Sequence, residues 1–338
     1  MLNILKQYGF TENGHDMNPF GKGLINTTWL IRAGDKEYIL QQINQNVFRS
    51  PEDIAFNNSL LEEHLTKNAI RYLLPTPLKT IDGRTLVNSN EGCFRLFPFV
   101  EGSHTNDTVQ APQQAYEAAR QFALFTKTFT RLDAAQLKIT LPGFHDLALR
   151  YRQFEEALQH GNADRVNRSA DLVTFIKDHR SIVDELEKIK KHCRIRVTHH
   201  DTKISNVLFN EKEEGICVID LDTVMPGHFI SDVGDMMRTY LSPVDEEEKD
   251  FSKIVIRPLF YKAIVDGYLS EMGEELSDAE KGDFLFAGIF MIYMQAIRFL
   301  TDHLNNDMYY GRKYEGHNFI RAANQVTLLQ RLLDFNPR

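Results

Sequence analysis

Residues 199–220 impose the tightest constraint on how this chain can fold. His199-His200-Asp201-Thr202-Lys203-Ile204-Ser205-Asn206 reads H-x-D-x-K-x-x-N. The apolar run Val207-Leu208-Phe209 follows, then the turn-forming Glu213-Glu214-Gly215, then Ile216-Cys217-Val218-Ile219 ending on Asp220. Two short apolar runs joined by a turn predict a hairpin. That hairpin returns Asp220 to the end where Asn206 lies. Arg196-Val197-Thr198 reads as a short strand leading in, so Asp201 falls on the loop after it. Three oxygen-bearing side chains thus converge.

Each of these groups has a chemical use in that arrangement. A loop carboxylate such as Asp201 can take the proton of an attacking hydroxyl. Asn206 and Asp220 offer oxygens, which magnesium prefers while it keeps waters and substrate phosphates. Lys203 can meet charge on a transferring phosphoryl group. His199 is better read as a hydrogen-bonding brace for the loop than as an acid or base, since the carboxylate already takes the proton. A lone loop Asp is ordinarily a turn residue. The joint pattern in its strand context is what carries the phosphoryl-transfer reading.

The flanking sequence predicts two lobes. Thr27-Thr28-Trp29-Leu30-Ile31-Arg32 and Glu37-Tyr38-Ile39-Leu40-Gln41-Gln42-Ile43 are strands rich in β-branched and aromatic residues, joined at Gly34-Asp35. The turn before them holds Gly21, Gly23 and Asn26, whose backbone N–H groups can lie over nucleotide phosphates. Ser50-Pro51 opens a helix with Leu60, Leu61 and Leu65 on one face. Thr85–Val87 and Cys93–Phe97 are further strands. From about Gln113 the period becomes helical, over 115–129, 147–159, 171–193 and 278–304. The expectation is α+β: a small antiparallel-sheet lobe over 1–97, a hinge at 98–102, and a larger, mainly helical lobe over 103–338.

Composition narrows the classes. The 338 residues carry a net charge of −8, with no basic stripe of the kind that grips nucleic acid. The acidic run Asp245-Glu246-Glu247-Glu248 reads as a solvated helix start. Cys93, Cys193 and Cys217 are too few and scattered for a disulfide framework, which fits a reducing, cytoplasmic setting. The N-terminus lacks the basic start and apolar core of a signal peptide. The apolar run 284–294 is shorter than the roughly 20 residues a bilayer crossing needs, so a buried core helix and no membrane are expected.

H-x-D-x-x-x-x-N followed by I-D-x-D resembles the aminoglycoside phosphotransferase and choline kinase-like superfamily over essentially the whole chain. Several segments look closer to the N-acetylhexosamine 1-kinases: Gly23–Thr28, Tyr38–Asn44, Asn46–Phe48, His200–Lys203, Asp232–Asp235, Arg298–Leu304 and Glu315–Asn318. The resemblance implies a two-lobed, protein-kinase-like fold. It implies ATP- and magnesium-dependent phosphorylation of the anomeric hydroxyl of GlcNAc or GalNAc. By that match Asp201 is the base, Asn206 and Asp220 bind magnesium, the hinge backbone at Phe97, Phe99 and Val100 meets adenine, and Arg298 and Tyr309 meet the sugar.

The third strand departs from the superfamily pattern. It offers Gln41 and Gln42 where many members carry Lys or Arg, so the charge has to come from Lys203, Lys22 or backbone amides. Neither Glu62 nor Glu63 then has a lysine to pair with. Arg298, on an apolar helix, needs either an acid such as Asp302 at a helical spacing of four or a ligand. Asp232 and Asp235 read as braces behind Asp220, and Asp222 as an extra metal or water ligand. Choline, homoserine, methylthioribose or an aminoglycoside are alternative acceptors, and a non-catalytic nucleotide-binding pseudokinase is a rival of another class. The partner expected is a small sugar, with the chain a monomer or homodimer.

Overall fold

The computed structural model describes residues 1–11, 14–21 and 25–337. Its strands are β1 Asp16–Pro19, β2 Thr27–Ala33, β3 Lys36–Ile43, β4 Val87–Ser89, β5 Gly92–Pro98, β6 Arg196–Thr198, β7 Val207–Phe209, β8 Gly215–Val218 and β9 Met225–Gly227. Its helices are α1 Leu2–Lys6, α2 Pro51–Lys67, α3 Pro112–Thr128, α4 Leu147–His160, α5 Ala163–Arg168, α6 Ala170–Asp178, α7 Ser181–Ile189, α8 Phe229–Tyr240, α9 Pro258–Met272, α10 Asp278–Gly282, α11 Phe284–Leu304 and α12 His317–Leu333. The architecture is α+β in two lobes.

The small lobe is one antiparallel sheet in the order β1-β2-β3-β5-β4. Side chains alternate across it. Trp29, Ile31, Leu40, Phe94 and Leu96 form one apolar face, packed on Ile4 and Leu5 of α1. The opposite face carries Leu30, Ile39, Gln41, Ile43, Cys93, Arg95 and Phe97, as the strand register requires. Ile43 and Cys93 pack there on Phe48 and on Ile54 of α2.

α2 joins the lobes. Its Leu61 and Leu65 belong to the large lobe's core. Asn57, midway along, donates to the carbonyls of Lys138 and Val224 at 3.0 and 2.9 Å. Glu62 and Glu63 are exposed, so the helix presents an amide and no carboxylate toward the second lobe.

The large lobe is built around α11, covered by α4, α7, α8 and α12. α11 has the length and apolarity of a membrane span, and most of it is buried against these neighbours. Its contact with α8 is close because glycine sits at the crossing. A Cβ at Gly234 would lie 2.3 Å from the Ala287 carbonyl oxygen and 2.9 Å from Met291 Cβ. Gly234→Ala therefore forces two core helices apart. We expect a loss of about 1–3 kcal/mol in stability, the usual scale of overpacking, read as a lowered urea midpoint. A wild-type midpoint would mean that the crossing relaxes freely.

Some elements depart from the sequence expectation. The helix expected over 171–193 is two, α6 and α7; at the break His179 Nδ1 lies 2.8 Å from the Phe175 carbonyl oxygen and satisfies a helix-end acceptor. The helix expected over 278–304 is also two. Ser277 caps Glu280 N at 3.2 Å and Glu280 returns to Ser277 N at 2.9 Å, which starts α10 as a separate turn. The acidic run 245–248 is no helix start. Glu246 pairs with Arg238 at 2.9 Å and with Arg321, and Glu247 meets His317 at 2.6 Å. These carboxylates are engaged partners of the large lobe, not a solvated face.

Candidate active site

The loop 199–206 runs between β6, which pairs with β9, and β7. α8 splints it. Asp232, in the first turn of α8, accepts the N–H groups of His199 at 3.1 Å and His200 at 2.7 Å. Asp235, one turn on, accepts Thr202 N at 2.8 Å, and the Tyr240 hydroxyl donates to the Thr202 carbonyl at 2.5 Å. The two aspartates thus brace the loop that carries Asp201, rather than the segment behind Asp220. Gly234 between them lets α8 reach α11 while both carboxylates face the loop. Asp235 keeps Arg238 as its counter-ion at 3.0 Å.

His199 is a brace. Its Nε2 lies 3.0 Å from the Ile219 carbonyl, which ties the loop to the residue before Asp220. Burial holds its imidazole below the usual range. Thr223 Oγ1 donates to the His199 carbonyl at 2.6 Å.

Asp201 is oriented by its own loop. Its Oδ2 takes the Lys203 ammonium at 3.0 Å and Asn206 Nδ2 at 3.0 Å. No described residue hydrogen-bonds Oδ1. Burial alone would raise this carboxyl; Lys203 first, then His199 and Asn206, outweigh it and hold Asp201 below the ordinary carboxylate range. Lys203 is pulled down by burial and pushed up by Asp201 and Asp220, to about 12. One oxygen is pinned and the other is left for a ligand.

Asp220 follows β8 in the left-handed region, at φ 62° and ψ 61°. Ile219 N donates to the Asn206 carbonyl at 2.9 Å, so the hairpin sets Asn206 and Asp220 side by side as expected. No described residue donates to the Asp220 carboxylate, and burial followed by Asp222 pushes it up to about 7. Asn206 spends its Nδ2 on Asp201, and no described residue donates to its Oδ1. A half-buried carboxylate without a described donor, next to a spare amide oxygen, is a donor set that fits magnesium.

The small lobe meets this centre through a second pair. Arg95 Nη1 lies 2.5 Å from Asp222 Oδ1, with both side chains almost wholly buried. Arg95 Nε and Nη2 both donate to Gln41 Oε1, at 3.1 and 2.9 Å. Asn26 Nδ2 donates to Asp222 Oδ2 at 2.8 Å, and Asn44 N donates to Asn26 Oδ1 at 3.1 Å. Asp222 is the counter-ion of Arg95, which enters from the facing sheet. Arg95 went unnoticed in the sequence. Its signal was a lone charge in the apolar strand Cys93-Phe94-Arg95-Leu96-Phe97.

Of the other expected nucleotide contacts, Gly21 is exposed at φ 74°, and Gly23 and Lys22 lie outside the described residues. Phe97 shares the Arg95 face of β5, its ring centre 5.0 Å from the guanidinium. Phe99 N donates to the Glu37 carbonyl at 3.1 Å, and the Phe99 ring meets Phe20 edge-on. Val100, half-buried, accepts Ser103 Oγ at 2.5 Å.

Arg298 projects from α11. No described carboxylate pairs with it; its Nη1 donates to Gln295 Oε1 at 3.1 Å between the Phe144 and Tyr310 rings. Asp302 is occupied elsewhere. It accepts Tyr309 N at 2.7 Å, Tyr310 N at 2.9 Å and Asn318 Nδ2 at 3.0 Å, and so hangs the 309–310 segment from α11. Tyr309 is 71% exposed and packs edge-on against Tyr310. Phe319 packs on His303. His145, also missed in the sequence, meets the Asp201 loop, with its Nδ1 3.3 Å from His200 Nδ1. Burial, then His200 and Arg298, hold the His145 ring neutral, well below its usual value.

Comparison with known proteins adds the family. Residues 16–275 match the profile of the phosphotransferase enzyme family. An aminoglycoside phosphotransferase from Alicyclobacillus acidocaldarius superposes with a TM-score of 0.67 at 11% identity, covering 99% of this chain and 95% of that one. A microcompartment-associated aminopropanol kinase gives 0.64 at 19% identity, with 98% and 96% covered. A spectinomycin phosphotransferase solved with ADP and spectinomycin gives 0.59 at 14% identity, with 99% and 97% covered.

Proposed function

This chain belongs to the phosphotransferase enzyme family, and from that premise we propose that it transfers the γ-phosphoryl group of ATP to the anomeric hydroxyl of an N-acetylhexosamine, GlcNAc or GalNAc. It is a small-molecule kinase of the aminoglycoside phosphotransferase and choline kinase-like superfamily. The observation that carries the transfer step is the Asp201 carboxylate, with Oδ2 pinned by Lys203 and Asn206 and Oδ1 left to accept.

In this reading the acceptor hydroxyl gives its proton to Asp201 Oδ1 as its oxygen attacks the γ-phosphorus, and ADP leaves in line. Lys203, held by Asp201 and close to Asp220, meets charge on the transferring group. Asn206 Oδ1 and Asp220 would hold magnesium, which when bound neutralises the phosphate oxygens. The backbone at 97–100 takes the adenine edge. Closure of the lobes over the acceptor keeps water from taking its place.

The acceptor side supports a neutral, carbonyl-bearing sugar over an ammonium alcohol. Arg298 is a cation with no acid partner among the described residues, framed by Phe144 and Tyr310. Arg150 donates to Gln153 Oε1 at 3.0 Å and to the Gly143 carbonyl at 2.9 Å, and burial followed by Arg298 pulls its guanidinium down. Two neighbouring cations repel an amine and welcome an amide or hydroxyl oxygen.

A coupled ADP-release assay with GlcNAc, GalNAc, choline, 1-amino-2-propanol and kanamycin tests this. Turnover is expected with an N-acetylhexosamine, with a 1-phosphate seen by NMR. Arg298→Met is expected to raise the acceptor KM about tenfold or more, the scale of a lost charged hydrogen bond, with the ATP KM unchanged. Turnover of the amino alcohols alone would overturn the sugar assignment and leave the kinase standing.

A further inference from the structure

The third strand lacks a cation, yet the sheet face over the centre does not. Gln41 of β3 and Arg95 of β5 are register partners on that face. Many members of the superfamily that this chain resembles carry Lys or Arg on this strand to hold phosphates. Here Gln41 holds the guanidinium of the neighbouring strand in a two-pronged grip through Nε and Nη2. We propose that Arg95 is the phosphate clamp of this enzyme, aimed by Gln41, and that the nucleotide's phosphates take the place of Asp222 on it.

Four observations support the assignment. Arg95 is 1% exposed, and a guanidinium so buried is held only where a carboxylate or phosphate repays its lost hydration. Its single described acid partner is Asp222, two residues beyond Asp220, so the clamp's partner and the proposed metal-binding carboxylate share one loop. The other Asp222 oxygen is held by Asn26 of the small lobe, so this pair bridges the two lobes. The hydrogen bonds to Gln41 use two of the five N–H groups, and Asp222 Oδ1 meets Nη1 as an ion pair without a hydrogen bond. At least one N–H on each Nη then has no described acceptor, and a planar pair of donors suits a phosphate's two oxygens better than a lysine's point charge. Asp222, released from Arg95, keeps Asn26 as its partner.

The inference rests on the nucleotide-site reading above, and the test separates the two. The probes are ADP and adenosine, titrated calorimetrically with magnesium into wild type, Arg95→Met, Arg95→Lys and the double variant Arg95→Met with Asp222→Asn. Melting curves check each fold. A clamp predicts at least a tenfold loss of ADP affinity in Arg95→Met with adenosine within twofold of wild type, and part of the loss recovered in Arg95→Lys. Removing Arg95 also frees the Asp222 charge to repel phosphate. The double variant removes that repulsion and the buried unpaired charge, so it decides the matter even if the single variant melts early. A clamp predicts that the double variant still binds ADP weakly. If it binds ADP like wild type, Arg95 merely neutralises Asp222 and the proposal falls. Wild type failing to bind ADP would bring down the nucleotide site itself, and the clamp with it.

Discussion

Asp201→Asn is expected to lower kcat by about a thousandfold, within the range of a lost general base, while ADP affinity stays near wild type. The substitution keeps the shape of the side chain, and α8 holds the loop backbone through Asp232 and Asp235, not through Asp201. What is lost is the oxygen able to keep a proton. Lys203 loses its closest partner as well, though Asp220 remains near it. Coupled turnover and calorimetry on the same protein check the two halves. Activity within tenfold of wild type would remove Asp201 from the path of the proton.

Asp220→Asn is expected to cost about a hundred- to a thousandfold in turnover, the scale of a lost charge-stabilising group, without loss of stability. Asn accepts the left-handed backbone at φ 62° nearly as well as Asp. The Asp220 carboxylate accepts no hydrogen bond from a described residue and is pushed up to about 7 by burial and by Asp222, so folding gains nothing from its charge. A melting temperature equal to or above wild type, with turnover collapsed and magnesium response weakened, is the signature of a group kept for chemistry at the expense of the fold. Wild-type turnover with an unchanged magnesium dependence would contradict the assignment.

The sheet and the site were legible to different degrees. β2 and β3 were plain because both carry β-branched and aromatic residues broken by one tight turn. The convergence of Asn206 and Asp220 was plain because a hairpin of that length has one way to close. β9 was not, since Met225-Pro226-Gly227 reads as a turn and is a strand only by pairing with β6. β1, Asp16–Pro19, is wholly exposed and carries no periodic signal. Arg95 was missed for a further reason: its meaning depends on Gln41 and Asp222, far away in sequence. The aspartates of α8 were recognised as braces but attached to the wrong segment, because which backbone amides a helix end meets is set by packing against α11. The split of the helix at 179–180 also lies below the resolution of apolar spacing, since both halves keep a helical period.

The tether from Asp302 to 309–310 has a bearing on how such an enzyme can diversify. The 309–310 segment, which the proposed reading sets beside the acceptor, hangs from α11 by hydrogen bonds that never touch the loop held by α8. Residues displayed on that segment, Tyr309 above all, can be exchanged over generations without moving Asp201 or Asp220. Appetite for new alcohols is thereby inherited separately from the machinery that phosphorylates them.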